Sequence, residues 1–129
     1  MAGANNPEER KGWLVVEDEG LVSMLIEDAI SDLGLSVVGP ATGVRQAMAL
    51  LRTENPEGAL LDVNLGGEAV YPVAELLAQR RIPFVFITGY GKSGVAPAWS
   101  NRPVLQKPFM PAQIQNLVRQ MQEQPATLS

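Results

Sequence analysis

Glu17, Asp18, Asp62, Thr88 and Lys107 are the residues of this chain whose types and placing suit shared chemistry, because each follows a short, largely apolar run. Residues 14–16 lead into Glu17-Asp18, 59–61 into Asp62, 84–87 into Thr88 and 104–106 into Lys107. If these runs are neighbouring parallel strands, carboxylates, a hydroxyl and an ammonium converge at one sheet edge, where open α/β sheets place their ligands. Carboxylates that crowd together repel unless a cation sits between them. Hard oxygen donors suit Mg²⁺ better than a soft transition metal. Asp62 would then be placed to attack a phosphorus centre, with Lys107 and the metal offsetting charge on the phosphoryl oxygens. Taken singly, each residue has a plainer role. An acid pair favours the positive end of a helix, Asp62 caps a loop, Thr88 ends a strand and Lys107 is solvated. Capping alone does not explain why acids follow the first and third runs while Thr and Lys follow the fourth and fifth.

The elements that must position these residues read as alternating βα units, the pattern of a parallel sheet. Five strands and four or five helices are expected, the strands forming one parallel sheet. Leu21, Val22, Leu25, Ile26, Ala29, Ile30 and Leu33 recur at helical spacing after the first strand, and Gly34 supplies a stop. The second strand is read over 35–38, closed by Gly39-Pro40, and Val44, Ala47, Met48 and Leu51 mark a second helix. Asn64-Leu65-Gly66-Gly67 reads as a flexible loop, with Pro72 in the first turn of a third helix. Residues 89–103 hold three glycines and two prolines, so the fourth helix should be short or irregular. Pro111 opens a last helix carrying Ile114, Leu117, Val118 and Met121.

At 129 residues, 46% of them hydrophobic, the chain fits one domain, read as residues 12–122 between a flexible lead-in over 1–11 and a flexible tail over 123–129. No apolar stretch approaches the roughly 20 residues needed to span a bilayer, and residues 1–11 do not resemble a signal peptide, so a cytoplasmic protein with no membrane partner is expected. The absence of Cys and His removes disulfides, thiol nucleophiles, imidazole bases and the usual zinc sites. A net charge of −4 without a basic run argues against a nucleic-acid partner.

In this order and context, Glu17-Asp18, Asp62, Thr88 and Lys107-Pro108 resemble the receiver domain of bacterial two-component response regulators, over nearly the whole chain from Trp13 to Met121. The resemblance implies an α/β, flavodoxin-like, doubly wound five-stranded parallel sheet in the order 2-1-3-4-5 with helices on both faces, and that Asp62 is the phosphoacceptor, taking a phosphoryl group from a histidine of a sensor kinase or histidine phosphotransfer protein. It implies further that Asp18 and Asp62 hold Mg²⁺ directly, Glu17 through a metal-bound water, and Asn64 by its backbone carbonyl. Lys107, across a cis bond to Pro108, would pair with the acyl phosphate. Thr88 would move to the phosphoryl oxygens, turning phosphorylation into a change of shape. The N–H of Gly89 or Val63 would add donors. Such a protein catalyses its own phosphotransfer and dephosphorylation and is not an enzyme turning over a separate substrate.

Pro83-Phe84-Val85-Phe86-Ile87-Thr88-Gly89-Tyr90 is similar to the Pro-Phe-x-Phe-Ala-Thr-Gly-Tyr signature of a receiver subgroup, the FAT GUY type, with Ile87 where Ala is usual. Members act without an output domain in phosphorelays, including those of general stress responses, and a chain ending after its last helix fits that expectation. The pattern is departed from at Val104, where most receivers carry an aromatic switch residue. Tyr90 is the candidate replacement, with a half-buried packing role as the alternative. Met110 stands where an Asp often caps the last helix, so that end should be less well satisfied. Gly91-Lys92-Ser93 matches only the tail of a phosphate-binding loop, and Phe86 occupies the place of its first glycine. Gly89, Tyr90, Trp99 and Phe109 are read as an output surface, to a downstream protein or back to a histidine by reverse transfer. Competing readings are a pseudo-receiver serving only as an interaction module, and a haloacid-dehalogenase-like phosphatase, whose second acid is here Asn64. A flavin mononucleotide carrier shares the fold, but acids after the first strand would repel its phosphate.

Overall fold

The computed structural model describes residues 6–123. Five parallel strands, β1 (Trp13–Val16), β2 (Val37–Ala41), β3 (Gly58–Asp62), β6 (Phe84–Thr88) and β7 (Val104–Gln106), lie in the order β2-β1-β3-β6-β7, the expected one. Four α-helices flank them: α1 (Gly20–Asp32), α2 (Val44–Thr53), α3 (Tyr71–Gln79) and α4 (Pro111–Gln122). The inner strands are apolar without a break because both faces of the sheet are covered. Their side chains alternate between two cores: Trp13, Val15, Leu60, Val85 and Ile87 face α1 and α4, while Leu14, Val16, Leu61, Phe84 and Phe86 face α2 and α3. This alternation fixes the strand register, since a slip of one residue would exchange the two cores.

Three sequence readings are corrected. The second strand does not stop before Gly39-Pro40 but runs through it to Ala41, with a cis peptide there and a shift of register opposite Leu14 and Val16. β2 is an edge strand, where a missing proline N–H leaves no ladder bond unmade. Gly39 has φ +96°, and a Cβ there would meet the Ala41 nitrogen at 2.8 Å, so the irregularity needs glycine. The expected flexible loop after Asp62 is a small hairpin of β4 (Asn64–Leu65) and β5 (Glu68–Ala69). Gly66 and Gly67 both have positive φ, as a two-residue hairpin turn demands, and the Asn64 Oδ1 accepts the Gly67 N–H at 2.8 Å.

The lead-in is the third. Residues 6–11 are tied to the domain. The Arg10 guanidinium donates to the carbonyls of Arg80 and Arg81, Lys11 N–H to Asn55, and the Asn55 amide to the Asn6 carbonyl. The remainder of the lead-in, and the tail from residue 124 on, lie outside the described residues.

The expectation of an irregular fourth helix is met. Between β6 and β7 the chain forms only two 3-10 turns, Gly91–Gly94 and Pro97–Trp99. At α4, Met110 makes no side-chain cap, but the Gln113 Oε1 accepts the Met110 N–H at 2.7 Å, so that start is better satisfied than a lost Asp suggests. Among the described residues no helix is long and apolar enough to cross a membrane.

Candidate phosphoacceptor site

The carboxyl ends of β1, β3, β6 and β7 meet in an open crevice of about 490 Å³, lined by Asp18, Asp62, Asn64, Thr88 and Lys107 among others. Parallel pairing of β3 with β6 sets Asp62 beside Ile87, and β6 with β7 sets Thr88 beside Gln106. Asp62, which lines it, and Glu17 beside it are buried, while Asp18 is exposed on its lining. One carboxylate oxygen from each of Glu17, Asp18 and Asp62 lies within 4.8 Å of the others.

Lys107 is the cation of the crevice. Its Nζ lies 3.3 Å from Glu17 Oε1, 3.3 Å from Asp62 Oδ2 and 2.9 Å from Glu19 Oε1. Burial opposes the charge of Lys107, but the Glu19 hydrogen bond and the charges of Glu17 and Asp62 outweigh it and raise its pKa, so it stays an ammonium. Glu17 behaves oppositely. Burial first, then the hydrogen bond and charge of Asp62, push its carboxyl up to about 7, against the lowering pull of the Glu19 N–H and Lys107. Its Oε1 is buried and has no hydrogen-bond partner. Three acids contact one ammonium, and Asp18 brings a fourth to the same cluster. The donor set therefore fits a hard divalent cation, which would offset the remaining negative charge.

Asp62 is held from both sides, Oδ1 accepting the Asn64 N–H at 3.3 Å and Oδ2 facing Lys107. Thr88 is buried, and its Oγ1 accepts the Tyr90 N–H at 3.1 Å. Gly94 packs so closely on this hydroxyl that a Cβ there would sit 2.3 Å from Oγ1. The Val63 N–H, expected as a donor to the site, is instead spent on the Ile87 carbonyl at 3.0 Å. Gly89 is exposed and lines the crevice.

The aromatic residues separate. Tyr90 is 78% exposed at the crevice wall, not half-buried. Trp99, expected to be exposed, is half-buried, stacked on Tyr71 with ring centroids 6.4 Å apart and edge-on to Phe84 and Phe86. Val104 pairs with Phe86 beside this cluster, so the aromatic bulk on that face comes from Tyr71 and Trp99. Phe109 is half-buried and faces away from the crevice. With Leu21, Val22, Leu25 and Pro108 it forms an apolar groove of about 440 Å³ that shares Lys107 with the crevice. The Lys107-Pro108 bond is cis, as expected. Lys92 is exposed in its turn, as read from the sequence.

The sequence reading missed Glu19 and Gly94. Glu19 was in view as the third acid of a Glu-Asp-Glu run, whereas the approach of Gly94 to Thr88 depends on 3-10 turns that carry no periodic signal.

This geometry agrees with the comparisons to known proteins. The family model of the response regulator receiver domain matches residues 13–119. The chain belongs to the receiver domains of response regulators. It is 30% identical over 114 residues to the phyllosphere-induced regulator PhyR of Methylorubrum extorquens, covering 83% of this chain and 42% of that protein. It is 29% identical to the probable transcriptional regulator ycf27 of Cyanophora paradoxa, covering 87% and 48%. The chain thus spans less than half the length of these curated relatives. The solution structure of SdrG from Sphingomonas melonis Fr1 is 41% identical with a TM-score of 0.77, covering 88% of this chain and 97% of SdrG. The response regulator PhyR of Brucella abortus is 31% identical with a TM-score of 0.73, covering 93% and 51%.

Proposed function

We propose that this receiver accepts a phosphoryl group on Asp62 from a phosphohistidine of a partner protein, with Mg²⁺ at Glu17, Asp18, Asp62 and the Asn64 carbonyl, and passes the signal on by a change of shape. The observation that carries this reading is the placing of Lys107 Nζ 3.3 Å from Asp62 Oδ2 beside three converging carboxylates in a solvent-open crevice. In the transfer, an Asp62 oxygen forms the new bond to phosphorus while the P–N bond to the histidine breaks and its electron pair leaves with the imidazole. Lys107 stays protonated and offsets charge on the phosphoryl oxygens. Mg²⁺, when bound, draws off further negative charge from those oxygens. Thr88 gives up its bond from the Tyr90 N–H to meet the phosphoryl group, and Tyr90 and the Gly91–Gly94 turn move with it.

The apolar groove sharing Lys107 suits the phosphodonor, since an exposed apolar surface beside the acceptor lets a helical partner bury its own apolar face there. Leu21, 84% exposed, is its foremost contact. Output leaves through residues 89–109 and α4, to a protein partner or by reverse transfer. SdrG is a chain of similar extent, and PhyR of Bartonella quintana is an anti-anti-sigma factor whose matched region is 28% identical. These likenesses, with the Pro83–Tyr90 signature, support a phosphorelay of the general stress response and membership of the FAT GUY type. A haloacid-dehalogenase-like hydrolase is disfavoured because Asn64 spends its side-chain oxygen on the Gly67 N–H.

The test is phosphotransfer from a panel of histidine kinases with Mg²⁺. A base-labile label is expected on the wild-type chain and none on Asp62→Asn. Label that persists in the variant would sink the assignment, and a wild-type chain that no donor labels would favour the pseudo-receiver.

A further inference from the structure

The shortest of the three contacts of Lys107 is to neither buried carboxylate. Nζ lies 2.9 Å from Glu19 Oε1 but 3.3 Å from Glu17 and from Asp62. Glu19 is the N-cap residue of α1, where a Ser, Thr, Asp or Asn would turn its side chain back to a first-turn N–H. It makes no such bond. Its own N–H is fixed by Glu17 Oε2 at 3.1 Å, so the backbone is anchored while the side chain reaches across the crevice wall to the ammonium. The Glu19 side chain is 63% exposed and that of Asp62 only 7%, so this contact pulls on Lys107 from the open side.

We propose that Glu19 is a positioning residue that holds the Lys107 ammonium on the solvent side of Asp62, so that accepting a phosphoryl group requires Lys107 to exchange Glu19 for a phosphoryl oxygen. The inference rests on Asp62 being the phosphoacceptor. It adds a carboxylate that competes with the incoming group for one cation. Because Glu19 is largely exposed, its hold is modest, on the order of two- to fivefold in the rate of acceptance. Once the phosphoryl group is in place Glu19 no longer touches Lys107, so the lifetime of the label is independent of it.

Acetyl phosphate with Mg²⁺ is a suitable probe for the full chain. In this reaction an Asp62 oxygen bonds to phosphorus, the bond from phosphorus to the acetyl oxygen breaks, and acetate leaves with the electron pair. Glu19→Gln and Glu19→Asp are compared with the wild type. Aspartate keeps the charge but is one methylene shorter and suits the cap, and Lys107, held by Glu17 and Asp62, does not follow it. Both variants are expected to accept the phosphoryl group about two- to fivefold faster than wild type. The gap should close as salt rises toward about 1 M, where screening acts within about 3 Å. Unchanged or slower acceptance in both variants overturns the proposal. So does a gain in Glu19→Gln alone, which would mark a simple effect of charge on an anionic donor. If the wild type takes up no label, the phosphoacceptor reading is what fails. The contact itself is read separately from the nitrogen resonance of the Lys107 ammonium in the unphosphorylated protein. A shift of that resonance in both variants shows the contact, and its constancy removes it.

Discussion

The two sides of the crevice are built differently. β1 and β3 bring Glu17, Asp18 and Asp62 from the centre of the sheet, each strand paired on both sides and flanked by regular helices. β6 and β7 bring Thr88 and Lys107 from the side whose connection contains no α-helix, only two 3-10 turns and an aromatic cluster. Short 3-10 pieces have poorer hydrogen-bond geometry than α-helix and open at lower cost. The carboxylates are thus set in a stiff frame, while the hydroxyl that would answer a phosphoryl group sits at the start of the softer segment. Chemistry that needs fixed ligands and a response that needs movement are kept apart by one strand pairing.

The largest expected effect tests the stiff side. Gly58 lies under the Trp13 ring, and a Cβ there would come within 2.1 Å of it. Gly58→Ala should lower the unfolding free energy by about 3 kcal/mol in urea melts, because buried Trp13 cannot move aside cheaply. A neutral result would mean that the frame is looser than its packing implies.

The acids of that frame give a test in pH. The metal-free folded protein, with Glu17 raised to about 7 from 4.5, holds a proton there that the unfolded chain has released. Glu17 therefore favours folding fully below about 4.5, and that contribution is lost as pH rises through about 7. Divalent-cation binding must expel the same proton, so Mg²⁺ affinity should fall as pH drops below about 7, by up to about 1.4 kcal/mol per unit. Titration of Mg²⁺ by calorimetry at pH 8, 7 and 6 checks the affinity trend, and urea melts of the metal-free protein at the same settings check the folding trend, the settings being spaced around the perturbed carboxyl. An affinity flat across this range would show Glu17 to be ionised throughout.

On the soft side, Gly94→Ala should cost only about 1 kcal/mol, because the turn can shift where a helix could not. It should nevertheless displace the Thr88 hydroxyl, seen as loss of protection of the Tyr90 amide in hydrogen exchange. A cost as large as that at Gly58 would erase the distinction between the two sides. The smallest effect is expected at Arg102, whose guanidinium lies 4.5 Å from the Phe84 ring centroid and 5.9 Å from that of Trp99. Arg102→Leu should lose roughly 0.5 kcal/mol, measured as a shift in the urea midpoint.

The difference between the sides also explains what was legible in the sequence. Apolar runs ending on chemistry-bearing residues marked the parallel strands and the edge where Glu17, Asp18, Asp62, Thr88 and Lys107 meet, because buried parallel strands leave a strong hydrophobic signature, while the order β2-β1-β3-β6-β7 followed from the resemblance to receivers. Where the backbone is shaped by single residues, the signature fades. β2 passes through Gly39-Pro40 because an edge strand tolerates it, and the Asn64-to-Ala69 hairpin is too short for alternation to show. The burial of Trp99 is likewise a tertiary outcome, since stacking on Tyr71 joins residues from α3 and a distant turn. Glu19 was passed over, because only the position of Lys107 beyond the end of another strand reveals its partner.

The chain contains two tryptophans, and they fall on opposite sides of this division. Trp13 is sealed in the core under α1 and α4, whereas Trp99 is half-buried and stacked on Tyr71, whose hydroxyl accepts the Ala96 N–H at 2.8 Å. A Trp13→Phe chain would therefore emit from a single indole lodged in the segment that follows Thr88. Its fluorescence would follow that segment in real time, free of any attached dye.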